Sequence, residues 1–174
     1  MKKIIQLSLF IFTLVCGSIS TTYGQEGQIV SNITLSDLNQ KAVQLPHFGS
    51  KSLMIFYVDP DRAGQNDEFI KELRNNTELR SNNVMGVSIM NVKDAPMIPN
   101  GLAYRMAQKR SDMMHTPFYV DETGELSTKW KLGDCDNFSV IMLVNTQGEI
   151  IFLSRGKITP EDKERFYSSY ATIK

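Results

Sequence analysis

Residues Ser52 to Arg80 place a buried strand, a tight turn and an amphipathic helix in direct succession, and few folds accommodate that unit. Leu53 to Val58 is a continuous apolar run, the pattern of a strand covered on both faces of a sheet. Asp59-Pro60-Asp61-Arg62-Ala63-Gly64 breaks the run with residues that favour turns. Beyond Gly64, Phe69, Ile70 and Leu73 recur at helical spacing among charges, so one face of that helix packs on the sheet.

The rest of the chain supplies partners for this unit. Two short strands, in Gln25 to Gln40 and in Lys41 to Leu45, flank the turn at Asp37, with Ile33, Leu35, Val43 and Leu45 giving the alternation. Val84 to Met90 reads as a second strand, parallel to the first. The segment Asp94-Ala-Pro-Met-Ile-Pro-Asn-Gly101 is a long polar connection. Leu102, Met106 and Ala107 predict a helix ending near Ser111. Phe118 to Val120 is a short strand closed by Asp121 to Gly124, and Leu126 to Trp130 is one or two helical turns. Val140 to Val144, Asn145-Thr-Gln-Gly148 and Glu149 to Leu153 read as an antiparallel hairpin. Thr159-Pro160-Glu161-Asp162 starts a last helix, with an N-cap threonine, a proline in the first turn and acids against the helix dipole. Phe166, Tyr167 and Tyr170 form its buried face. The expectation is one α/β domain over residues 25–174, with a central mixed β-sheet flanked by helices.

Residues 1–24 read as a signal peptide. Lys2 and Lys3 form the charged start, Ile4 to Val15 is mostly apolar, and Thr22-Tyr23-Gly24 offers small residues for cleavage before Gln25. The apolar run is short for a membrane span. A lipid anchor on Cys16 is disfavoured, because Thr13-Leu14-Val15 lacks the small residue that usually precedes a lipidated cysteine. The mature chain is thus expected to be exported to the periplasm, with no membrane attachment after cleavage. Cleavage leaves 17 basic and 19 acidic residues, a net charge of −2, which gives no electrostatic reason to expect nucleic acid or an anionic surface as partner. It also leaves Cys135 as the single cysteine, so no internal disulfide can form.

Taken in order, these elements resemble the thioredoxin-like superfamily over roughly residues 28–172. The second half resembles the YtfJ-like family of periplasmic proteins, on three segments: Asp94-Ala-Pro-Met-Ile-Pro-Asn-Gly, Pro117-Phe-Tyr-Val-Asp-Glu-Thr-Gly-Glu-Leu-Ser-Thr-Lys-Trp-Lys-Leu and Gly156-Lys-Ile-Thr-Pro-Glu-Asp. The resemblance implies a thioredoxin-like fold and an exported location more than an activity. It places the redox Cys-x-x-Cys pair of active members at Asp61 and Gly64, and their cis-proline at Ser139. A carboxylate cannot replace the thiolate that disulfide exchange requires. Loss of both features points to a lineage released from redox duty.

Several residue patterns carry less than they first suggest. Asp59-Pro60-Asp61 resembles the opening of a calcium loop, but Ala63 and Ile70 stand where ligands are needed, so a solvated turn is the expectation. His47 and His115 lack metal-ligand spacing and read as surface or capping residues. Met113-Met114-His115 could hold Cu(I), yet nine methionines through the chain fit core filling better. No metal and no cofactor is expected. Cys135 is the only candidate catalytic residue, and the acids Asp134 and Asp136 beside it are expected to raise its pKa and blunt it as a nucleophile.

Three functional classes follow. The first is a non-redox module binding a periplasmic protein, a peptide or a small ligand through Asp59, Asp61, Arg62, Cys135, Asn137 and Ser139. In it Arg62 anchors a carboxylate, with Asp59 and Asp61 orienting the guanidinium. The second is a divergent thiol oxidoreductase or peroxidase-like protein using Cys135 with a partner's thiol. The third is a purely structural role.

Overall fold

The structure is a computed structural model, and it describes residues 26–174. The leader read over residues 1–24, with Cys16, lies outside the described residues. The elements in chain order are β1 (Thr34–Ser36), β2 (Ala42–Gln44), β3 (Ser52–Val58), α1 (Asp67–Asn75), β4 (Val84–Asn91), α2 (Asn100–Met114), β5 (Phe118–Asp121), α3 (Glu125–Lys129), β6 (Val140–Val144), β7 (Ile150–Arg155) and α4 (Pro160–Ala171).

Seven strands form one mixed sheet in the order β2-β1-β5-β4-β3-β6-β7. As the sequence predicts, β3 pairs in parallel with β4; the register runs from Ser52 opposite Val84 to Val58 opposite Met90. β6 lies antiparallel on the other side of β3, and β7 returns antiparallel to β6. Successive side chains of β3 point to opposite faces, and both faces are covered, which is why the run shows no polar alternation. Phe56 and Val58 meet Phe69, Ile70 and Leu73 of α1, with Phe166 and Tyr170 of α4 and Ala103 and Ala107 of α2 in the same core. Leu53, Ile55 and Tyr57 belong to the opposite core, with Leu126, Trp130, Leu132 and Cys135.

The strand expected in Gln25 to Gln40 is divided. Ile29 bridges to Glu149 beside β7, whereas β1 pairs with β2 and β5 near the opposite edge. Between these points the chain crosses the second face of the sheet, burying Val30 and Ile33. Trp130 fastens this crossing: its indole N–H donates to the Ser31 carbonyl at 2.9 Å, and its own carbonyl accepts from the Gln28 side chain at 3.2 Å. Backbone groups spent on that crossing are not available for a longer strand.

α2 runs past Ser111 to Met114 and stops at His115, which takes a left-handed conformation as the C-cap. Its buried face is Ala103, Tyr104, Ala107 and Met114, while Leu102 is exposed. The small alanines at 103 and 107 let the helix approach the sheet, a signal that bulk hydrophobicity understates. Tyr167 of α4 is half-buried, its hydroxyl donating to Glu72 at 2.6 Å, so Phe166 and Tyr170 carry most of that face. Thr159 caps α4 by accepting from the Asp162 N–H at 3.1 Å.

Candidate functional site

The turn after β3 is organised by Asp59. Its carboxylate accepts the Asp61 N–H at 2.7 Å through Oδ1, shaping a short 3-10 turn over Pro60–Arg62, and the Asn137 N–H at 2.6 Å through Oδ2. Asp59 is only 1% exposed, so the turn expected to be solvated is tethered by a buried acid. Burial raises the carboxyl's pKa and outweighs the two N–H donors, which lower it.

Further bonds close the same rim. The Ser139 N–H donates to Gln65 Oε1 at 2.9 Å, and the Ser139 hydroxyl donates to the Arg62 carbonyl at 3.4 Å. A proline at this position would lack the first donor. Asn66 does not cap α1 with its side chain. It donates instead to the Gly156 carbonyl and accepts the Ile158 N–H, both at 2.9 Å, tying the turn to the β7–α4 connection. The Gly156 N–H in turn donates to the Ser139 carbonyl at 2.7 Å. Three segments distant in sequence, 59–66, 137–139 and 156–158, are thereby locked together.

Between them lies an open cleft of about 670 Å³, lined by Asp61, Arg62, Gly64, Gln65, Asn137, Phe138 and Lys157. A smaller hollow of about 320 Å³ shares Gln65 and Lys157 and continues past Glu68, Phe69, Ile158 and Lys163. Another hollow, of about 520 Å³ around Ser52, Asn83, Asn145 and Thr172, is lined by none of the expected site residues. Among the described residues Arg62 forms no ion pair, and neither does Lys157.

The six expected ligand residues thus separate. Asp61, Arg62 and Asn137 line the cleft. Asp59 and Ser139 are buried behind it, holding its walls. Asp59 spends both oxygens on backbone donors, so the guanidinium of Arg62 is not oriented by it. Cys135 does not line the cleft. It is 1% exposed and packs in the core with Trp130 and Leu132, on the face of the sheet that holds Tyr57, its thiol donating to the Gly133 carbonyl at 3.7 Å. Burial pushes the thiol up to about 11, Arg155 lowers it, Asp94 raises it, and Asp134 adds a smaller push. The direction matches the expectation, but the leading cause is burial rather than the flanking acids.

Gln65, Phe138 and Lys157 are cleft residues that the sequence reading passes over. Phe138, an aromatic exposed by 45% in the middle of a polar loop, is the signal that could have singled out that loop. Lys157 follows Gly156, whose φ of +78° turns the chain at the cleft margin, and Phe138 lies against that glycine. Among the described residues no helix is long and apolar enough to cross a membrane, and no three His, Cys, Asp or Glu residues cluster as metal ligands.

No family model matches the sequence, and no curated protein matches it. Solved structures do. The chain is similar to the thioredoxin domain of a thiol-disulfide oxidoreductase from Bacteroides vulgatus, at 11% identity and a TM-score of 0.58, covering 86% of this chain and 99% of that one. It is similar to StoA from Bacillus subtilis at 15% identity and a TM-score of 0.56, covering 80% and 98%. A protein provisionally described as a disulfide isomerase, from Bacteroides thetaiotaomicron, matches at 17% identity and a TM-score of 0.60, covering 86% and 87%. At such identities the likeness is one of architecture, and the fold of this chain is thioredoxin-like.

Proposed function

We propose that this protein is an exported, periplasmic, non-redox binding module of the thioredoxin-like fold, akin to the YtfJ-like family, which holds a protein or peptide partner at the cleft beside Asp61, Arg62 and Asn137. One observation carries the reading. Asp61-Arg62-Ala63-Gly64, where the resemblance puts the cysteine pair of active members, carry no thiol and border an open cleft, while Cys135, the one cysteine among the described residues, is buried away from it. A cleft edged by an unpaired guanidinium can hold a ligand, whereas thiol exchange requires an accessible thiolate. One feature favours the rival thiol chemistry through Cys135: the Arg155 guanidinium near the sulfur lowers its pKa. Burial outweighs it.

Partner capture tests this reading. Affinity capture from periplasmic extract is compared for wild type and Arg62→Ala at matched Tm. The reading expects at least one partner retained by wild type and reduced about tenfold or more in the variant, the effect of losing a charge-assisted bidentate contact. An identical set of partners at equal yield contradicts it.

A further inference from the structure

Resting on the binding reading above, we infer that the cleft recognises the free C-terminal carboxylate of an extended peptide, with Arg62 and Lys157 as its two cationic anchors, the Gln65 side-chain amide as donor to a peptide carbonyl and Phe138 as the contact for the terminal side chain. Lys157 and Phe138 extend the site beyond the residues expected from sequence.

The charge pattern comes first. Arg62 and Lys157 line one cleft from different segments, and neither is neutralised by an ion pair among the described residues. Lys163, which borders the adjoining hollow, is by contrast paired with Glu72. Asp61 is the single acid lining the cleft, so its formal charge is +1, suited to one carboxylate rather than to a polyanion. A guanidinium offers two parallel N–H donors that match a carboxylate, and an ammonium adds a third.

The neutral groups define what surrounds that carboxylate. Gln65 accepts the Ser139 N–H through its side-chain oxygen, which leaves its NH2 group to donate to a ligand carbonyl. Phe138 is exposed, although its neighbours Ser139 and Val140 are buried. An exposed aromatic beside unpaired cations and a free amide is a mixed surface of the kind that binds chain segments.

The chain end is favoured over an internal acid by geometry. In an extended peptide, adjacent side chains point to opposite faces, so an internal Asp or Glu that reaches the cations presents no second side chain to Phe138 from the same residue. A C-terminal residue carries its carboxylate, its own side chain and the preceding carbonyl within one residue's length. It therefore meets Arg62 and Lys157, Phe138 and Gln65 together. The adjoining hollow past Glu68 and Lys163 takes the residues upstream.

The test uses two pooled libraries of N-acetylated hexapeptides, identical except that one ends in free carboxylates and the other in carboxamides, passed over the immobilised protein. Retained peptides are identified by mass spectrometry and titrated into the ¹⁵N-labelled protein. The inference expects about tenfold or greater retention of free acids over carboxamides, with amide shifts at Gln65, Asn137 and Phe138. It expects retention to fall in both Arg62→Gln and Lys157→Gln, with the dispersed spectrum of the fold unchanged. Equal retention of carboxamides, with shifts at the same amides, overturns the carboxylate inference and leaves the binding reading standing. Equal retention confined to carboxamides that contain Asp or Glu overturns the chain end in favour of an acidic side chain. No retention from either pool, or shifts elsewhere, counts against the inference and the binding reading together.

Discussion

Burial removes the Cys135 thiol from water, and the Arg155 guanidinium offsets that effect only in part. With the thiol pushed up from the ordinary 9.0 to about 11, the thiolate at neutral pH is about a hundredfold scarcer than in a free peptide. Iodoacetamide, followed by mass spectrometry, should alkylate native Cys135 at least about a hundredfold more slowly than a cysteine peptide at pH 8. The difference should vanish in denaturant. A native rate matching the peptide would contradict the account of this residue. The sign of the linked stability follows. The folded thiol keeps its proton where the unfolded one loses it, so its contribution is full below pH 9 and is lost as pH climbs towards 11. Of the two flanking acids expected to act on this thiol, Asp134 does, as one of the smaller causes. The dominant cause was not legible in sequence, because burial depends on Trp130, Leu132 and the crossing chain coming together.

At the scale of elements, strong local patterns proved readable. The continuous apolar run of β3, the Asn145–Gly148 turn and the Thr159-Pro160 helix start each carry their physical cause within a few neighbouring residues. β3 and β4 pair in parallel, as expected, because both are covered on two faces and joined through a helix. The crossing from Ile29 to Ile33 was not readable as such, since its alternation resembles a strand and its partners, the Gly148–Glu149 backbone and the Trp130 side chain, lie about a hundred residues on. The second partner defines a test. Trp130 is fully buried, and Trp130→Ala removes both its core volume and the indole bond to Ser31. The substitution should cost about 3–5 kcal/mol, or a Tm loss of about 10–15 °C, in thermal unfolding followed by circular dichroism. A loss below about 1 kcal/mol would mean that the crossing is held by something other than this residue.

For the molecule as a whole, the candidate site is a product of topology. Arg62, Phe138 and Lys157 belong to three separate segments, and only the fold closes them around one cleft. The turn at Asp61 to Gly64 could be located from the strand–turn–helix unit, but single exposed residues such as Lys157 carry no periodic signal. Buried bonds from Asp59, Gln65, Asn66 and Ser139 hold the rim without any thiol in it. The central claim is that a thioredoxin-like frame here serves binding rather than disulfide exchange. Its most direct test follows insulin reduction by dithiothreitol as turbidity, with buffer, wild type and Cys135→Ser compared at equal concentration. The account predicts that wild type and variant both leave the buffer rate unchanged. An acceleration by wild type that disappears in Cys135→Ser would contradict it.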